Sequence, residues 1–590
     1  MKRFYLAITL FYSCFVYGQN DFMLAESYVR QGKYAKATQI YKSLLDRNPF
    51  NSTYLKKLVT CYQETDQYQK AEYLIRNSLE KNLEQKYLHV ELGYNYERQQ
   101  KMELANKEYA TALQSIDLNP SIGGQVGRIF RQNNLLDNAV LAYTKIMELN
   151  PNARYQFQVA QIYGEQGEFA KMFDSYIDLV NNNESYVGTV QRLASRYVSN
   201  DPLDENNIAL KRSLLRKSVS NPKNVWNELL SWLFSKQKEY GKALIQEKAL
   251  FKRDPKYLEN IGTLGNIAFQ DQDYIAAKNC FSFLLKNSNF LEEKIISELY
   301  LLRVSAATEN TSIEQKFENV LDRYGTNANT IKIQIEYADY LTFQKGKPEQ
   351  SEYVLEKALK LSKSKFERAR IKIKLGEIFV FTNRFNKALI YFSQVQTKLK
   401  NHPLSQEARF KVAETSYFKG DFSWAMAQLK VLKGSTTQLI ANDAVNLFLL
   451  ISDNQPQDSI PSGLQQYAKA DLLAYQNKNA EALKILREIV EKFKGFPIED
   501  EALFKEAKVL VKNKKYKEAV TNFERIIALN LEGILNDDAF FQIAEIYNYK
   551  LNLPSKAKEY YQKIIFDHAS SIYLVDARKK YRQLRGDDIN

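Results

Sequence analysis

The sequence predicts an all-α chain assembled from repeated helical hairpins, and three observations carry that expectation. Of 590 residues only 21 are glycine and 12 proline, too few for an all-β fold, which needs turn residues about every 8–12 positions. Ala37, Ala71, Ala105 and Ala139 follow one another at intervals of 34 residues, and Met172 comes 33 later. Aromatic residues are abundant, with 39 Tyr and 33 Phe, and they recur at fixed offsets from these small residues. Apolar residues make up 45% and charged residues 26%, so the chain can bury a large core and is not disordered by composition. Three histidines and three cysteines leave little material for metal sites or acid–base chemistry. The composition leans away from an enzyme.

Met1, Lys2 and Arg3 precede an apolar run from Phe4 to Val16 and then Tyr17-Gly18-Gln19. A basic start, a short apolar stretch and a small residue before a polar segment describe a secretory signal peptide, with cleavage expected after Gly18. The apolar run is shorter than the roughly 20 residues a membrane-spanning helix needs. Cys14 offers a rival reading as the lipidated cysteine of a bacterial lipoprotein. Against it, Phe11-Tyr12-Ser13 are bulky where such signals want Leu and a small residue. Removing the leader lowers the formal charge from +14 to +12. In an exported protein that charge suggests anionic envelope surfaces or acidic protein partners rather than nucleic acid. Cys61 and Cys280 then remain, more than 200 residues apart, and are expected as buried free thiols.

The repeats follow in order. The first contains Ala25, Tyr28, Gly32, Tyr34, Ala37, Tyr41, Leu44 and Pro49, and the second Leu58, Tyr62, Tyr68, Ala71 and Ile75. Leu92, Gly93, Tyr96, Ala105 and Tyr109 come next, then Gly127, Phe130, Ala139, Tyr143 and Pro151, then Ala160, Tyr163, Gly167, Phe169 and Tyr176. The pattern returns at Trp232, Tyr240, Ala243 and Pro255, at Gly265, Tyr274, Ala277 and Phe281, and at Gly376, Phe385, Ala388 and Phe392. Later units are centred on Ala425, Ala482, Ala519 and Ala557, and a looser one spans 332–360. This resembles the tetratricopeptide repeat (TPR): a small residue and Tyr on a first helix, Gly-x-Tyr at the turn, Ala-x-x-x-Tyr on a second, and a closing Pro. The resemblance implies a right-handed superhelical solenoid of about 13–15 hairpins with a concave groove, because one hairpin cannot bury its own apolar face.

Changes of period divide the chain. Residues 1–18 are the leader, 19–182 an array with a period of 34, and 183–330 a central array with degenerate repeats at 185–222 and 290–325. Residues 331–433 repeat every 37, as Ala388 and Ala425 show. The interval from Ala425 to Ala482 is 57, which leaves room in 434–462 for an added helix, Thr436–Asp453, and a loop, Asn454–Ser462, with two prolines. That loop is a hinge or boundary candidate. Residues 463–590 hold the last repeats and a basic capping helix, Ile572–Arg585. The longer C-terminal period resembles the TPR-like units of outer-membrane assembly and cell-division accessory proteins of Gram-negative bacteria.

No His-Glu-x-x-His, Cys-x-x-Cys, Gly-x-Ser-x-Gly or phosphate-loop pattern occurs. Gly123, Gly124 and Gly127 follow no strand, and Gly127 holds the small-residue position of a repeat, so no nucleotide loop is expected. His89, His402 and His568 fall in different repeats. No cofactor or metal is implied. The chaperone-binding carboxylate clamp of some TPR proteins is not reproduced at the matching positions, which include Lys56, Thr60, Glu91, Gln125, Arg154 and Gln158. One groove pattern does recur on the first helices of the later units: Ile373-Lys374, Phe410-Lys411 and Phe504-Lys505. A row of lysines beside exposed rings would suit an extended, partly acidic peptide. The competing reading is a solvated face whose lysines pair with Glu377, Glu414 and Glu506. The resemblance implies a non-catalytic scaffold or adaptor, exported and periplasmic or outer-membrane associated, that binds envelope proteins or peptides during secretion or outer-membrane assembly. The alternative is a basic tether to the cell wall or membrane surface.

Overall fold

The computed structural model describes residues 21–81, 85–150, 152–308, 312–434, 438–455, 462–529 and 533–586. The leader with Cys14, and most of the proline-containing loop after Asn454, lie outside the described residues. Among those described, all regular structure is α-helix with a few short 3-10 turns, and there is no strand. None of these helices is long and apolar enough to cross a membrane. The chain divides into two compact units, one ending at Gln237 and one beginning at Lys238. Each is a succession of helical hairpins in which most helices pack on the next along the chain.

The repeat register is the register of burial. Ala37, Ala71, Ala105, Ala139 and Met172 in the first unit are all 0% exposed, and so are Ala277, Ala388, Ala425, Ala482, Ala519 and Ala557 in the second. The alanines sit where the two helices of a hairpin cross, and their short side chains let the helix backbones come close, whereas Met172 at the same position lies against Gly164. On the facing helix a glycine meets the aromatic four residues further along. A Cβ added to Gly127 would lie 2.7 Å from the Tyr143 ring, and at Gly93 and Gly376 the rings of Tyr109 and Phe392 are closer still. Gly124 faces Tyr155 and Gly123 faces Ile146 in the same way, so this glycine group serves helix packing.

Inside the hairpins one residue takes the left-handed conformation that reverses the chain. In the first unit these residues are Gly32, Asp66, Gln100, Asn134 and Gly167, and in the second Gln272, Gly346, Asn383, Gly420, Asn477, Lys514 and Asn552. Glycine is therefore optional there, and the Gly-x-Tyr signature marks only part of a turn that is structurally constant.

The irregular stretches are helical too: Glu205–Ser220 packs on Phe169–Asn182, Val187–Ala194 on Asn224–Lys236, and Leu291–Thr308 on Ile313–Tyr324. The connection before Glu205 is fixed by Asn207, whose side chain is fully buried and donates to the Ser199 carbonyl at 3.0 Å. Asp204 caps the helix that follows through the Asn206 and Asn207 amides. Gln438–Asp453 is the extra helix of the second unit and packs on Phe422–Leu432 and Pro403–Lys419. The next first helix, Leu464–Tyr475, packs back on Pro403–Lys419. Its end reaches further: Gln476 donates to the Phe381 carbonyl at 3.0 Å and Asn477 to that of Phe343 at 2.7 Å. The chain closes with Leu574–Arg585, which buries only Ala577.

Gly376→Ala should destabilise the second unit by about 1–3 kcal/mol, because Phe392 is wholly buried and cannot swing away. Gly188→Ala, in a helix where nothing lies within 4 Å of the new methyl group, should stabilise the first unit by up to about 1 kcal/mol. Urea unfolding followed by circular dichroism checks both signs.

Candidate functional site

The helices that open successive hairpins in the second unit are Leu291–Thr308, Ile331–Phe343, Lys365–Phe381 and Pro403–Lys419. They align side by side, so residues one repeat apart meet across neighbouring helices. The lysine row lies on this face, already neutralised. Lys374 bonds Asp339 at 2.7 Å and Glu377 at 2.8 Å. Lys411 lies 3.3 Å from Glu377 and 2.9 Å from Glu414. The chain Asp339–Lys374–Glu377–Lys411–Glu414 thus alternates in sign across three helices.

Burial governs this network. Lys411 is 19% exposed in its side chain and Glu377 is 8% exposed. Burial alone would discharge all of these groups. It pulls the Lys374 and Lys411 ammonium groups down, but the facing carboxylates more than restore them, and both end above the ordinary lysine range. Burial likewise pushes the Glu377 carboxyl up, and Lys411 and Lys374 bring it below its usual value. Both halves of the pairing therefore stay charged.

The predicted apolar partners are less available than the sequence suggested. Ile373 is 2% exposed and belongs to the core, while Phe410 and Phe504 are half-buried against it. A residue one position before a lysine on a helix points about 100° away from it, and here that direction leads inward. The third lysine, Lys505, lies two first helices further along, on Ile498–Lys512, and pairs with Asp471. Glu377 and Glu414 do pair with the row, whereas Glu506 bonds Arg487 at 2.8 Å instead. Asp339 and Asp471 were missed in the sequence. Their signal was present: each acid precedes its lysine by one repeat, at 35 and 34 residues.

Around Lys505 the face is acidic. Burial, with Asp500, Asp453 and Asp538 nearby and Lys508 only partly offsetting them, pushes the Glu501 carboxyl up to about 7. Burial also raises Asp500 and Asp538, although Asp538 accepts a hydrogen bond from Tyr573 at 2.7 Å.

Beside the lysine row the four first helices enclose a cleft of about 500 Å³. Its apolar lining includes Ile296, Leu299, Ile335, Phe366 and Leu404, and its charged lining includes Arg303, Lys332, Glu336, Arg370 and Glu407. Arg303 is spent on Glu336. Phe366 remains 40% exposed and stacks on His402, ring centres 4.8 Å apart.

The remaining candidates have structural partners. His89 bonds Glu108 at 2.6 Å, His402 accepts the Leu404 amide at 3.1 Å, and His568 packs on Phe540. Among the described residues no group of three or more His, Cys, Asp or Glu is placed to hold a metal ion. Cys61 and Cys280 are buried free thiols, and burial raises them to about 11 and 12, where they are inert as nucleophiles. At the clamp-like positions of the first unit, Lys56 faces Glu91 at 3.3 Å, and Glu91 is itself buried.

Models of the tetratricopeptide repeat match residues 467–531, 19–51 and 538–571. Those stretches are tetratricopeptide repeats. The TPR match falls on the same hairpins whose alanines define the burial register. Among solved structures, the yeast Tom70 aligns over 93% of this TPR chain and 97% of its own, at 16% identity and a TM-score of 0.26. Naa15/Naa10 bound to HypK-THB aligns over 97% and 100% at 11% identity and a TM-score of 0.24. The hetero-tetramer Cut9–Hcn1 of the APC/C aligns over 96% of each chain at 13% identity and a TM-score of 0.23. No curated protein sequence matches the chain.

Lys411→Met should cost the second unit about 2 kcal/mol, since it leaves the buried Glu377 carboxylate with Lys374 but without its second cation. Adding Glu377→Gln should recover part of that loss in a double-mutant cycle read by urea midpoint. The Glu501 carboxyl is raised in the folded chain, so its contribution to stability is complete below about pH 4 and declines as pH climbs through 7. Glu501→Gln should flatten that decline and stabilise the second unit at pH 8 by on the order of 1–3 kcal/mol. An unchanged pH profile of thermal unfolding would refute the assignment.

Proposed function

We propose that this TPR protein is a non-catalytic scaffold of the bacterial cell envelope. It would hold partner proteins on the first-helix face of its second unit, in secretion or outer-membrane assembly. The observation that carries the binding part is the cleft across four consecutive first helices, which combines a partly exposed apolar lining with charged groups. Tetratricopeptide repeats serve as protein-binding scaffolds, and the buried thiols, dispersed histidines and satisfied lysines supply no nucleophile–base constellation on this face. The export part rests on the basic and apolar start of the chain, Met1 to Gly18.

Affinity purification of the tagged protein from crosslinked envelope fractions tests this reading. It should recover a small stoichiometric set of envelope proteins that resists high salt, with the mature amino terminus at Gln19. Recovery of diffuse wall or membrane material that salt releases would favour a basic surface tether instead. Retention of the whole chain in the cytoplasm with its leader intact would overturn the envelope assignment.

A further inference from the structure

We infer that the cleft takes an extended peptide segment that sets an acidic side chain against Lys332 and Arg370 and lays apolar side chains on Phe366 and the aliphatic floor. This deepens the scaffold reading and rests on it. Few cations on this face lack a partner. Most basic groups on this face are committed, Arg303 to Glu336 and Lys374 to Asp339 and Glu377. Lys332 and Arg370 line the same cleft and are both exposed. Among the described residues neither forms an ion pair or a hydrogen bond. They lie 38 residues apart, close to one repeat, on adjacent first helices, so one acidic side chain has both cations on the same stretch of its path.

The floor supplies the second half of recognition. Ile296 and Ile335 are half-buried, Leu299 and Leu404 nearly buried, and Phe366 stands 40% exposed beside them. Burying an aromatic or aliphatic side chain here would remove apolar surface from water on both partners. A rigid, partly exposed aromatic in the lining of a small cleft is the kind of anchor on which interface energy concentrates.

The far end is set by Glu407, one repeat beyond Arg370 at an interval of 37. Its carboxyl is raised, chiefly by burial and then by Glu377, despite Lys411, Lys374 and Arg370. No hydrogen bond or ion pair satisfies it among the described residues. A backbone N–H of the peptide would meet it, whereas a second acidic residue at that point would be repelled. The cleft therefore favours one charge at one end over a uniformly acidic chain, which gives the peptide a direction.

Panning a random displayed-peptide library on the full chain, followed by fluorescence anisotropy with the enriched synthetic peptides, tests this. The expected result is a family of peptides with one acidic residue near an aromatic or aliphatic pair. Binding should weaken roughly tenfold or more with the Lys332→Glu/Arg370→Glu variant, as attraction becomes repulsion across a partly desolvated contact. Both residues are exposed, so this variant should keep the wild-type circular dichroism and melting profile. Phe366→Ala should weaken the same peptides, and raised salt should weaken them in the wild type alone. Peptides that bind but ignore both changes would overturn this inference and leave the scaffold reading standing. A chain that enriches no peptide at all, while still recovering whole proteins from envelopes, would also overturn it. Failure of both experiments would remove the scaffold reading itself.

Discussion

A two-helix hairpin has more apolar surface than it can cover by itself, and nearly everything in this protein follows from that shortage. The second helix closes on the first through an alanine at the crossing point and a ring pressed on a glycine, as at Gly127 with Tyr143 and Gly376 with Phe392. That contact buries one face. The opposite face must be covered by the next hairpin, which leaves another face bare in turn. Folding is thus a matter of propagating one contact along the chain, and the aromatic surplus of the sequence is its visible trace.

The same propagation orders the polar groups. Because residues one repeat apart face each other on neighbouring helices, pairs recur at that separation: Arg98 with Glu64, Arg131 with Glu165, Lys374 with Asp339, Lys505 with Asp471 and Lys580 with Glu545. Most such pairs are half-exposed and each contributes little alone. They act on register, since a one-residue slip would set each cation beside an uncharged residue, Ala338 or Tyr340 in the case of Lys374. The Asp339–Lys374–Glu377–Lys411–Glu414 chain is the exception in depth. There burial makes the pairing obligatory, because either partner alone would be a stranded charge.

How much could be seen in the letters depends on how local the cause is. Ala37 to Ala139 announced their burial by spacing alone, because a crossing point needs a small residue whatever surrounds it. The added helix before Asp453 was legible as a surplus of residues in one repeat. The turns were legible only where glycine occupied them; Lys514 and Gln272 adopt the same backbone without the sequence saying so. Lysine pairing was half legible. Glu377 and Glu414 lie three or four residues from a lysine on the same helix, but Asp339 and Asp471 belong to the preceding first helix. Lys332 and Arg370 were invisible, because what distinguishes them is the lack of a partner.

The position of the cleft has a physical reason of its own. It spans the first helices from Leu291 to Lys419, and two of the four, Leu291–Thr308 and Ile331–Phe343, belong to the stretch where the repeat signature is weakest. A regular array fills its own interior, since each small residue has a ring to cover it and each cation an acid one repeat away. At this cleft that bookkeeping lapses. Leu291–Thr308 lacks the glycine that elsewhere seats a ring, and Phe366 at the start of the Lys365–Phe381 helix stands out from the core. Proteins whose sequence obeys every local rule are stable, and departures from those rules concentrate where something else is to be accommodated. On that ground the irregular repeats at 290–325 and 332–360, which looked like decayed copies in the sequence, supply part of the lining on which the proposed binding rests.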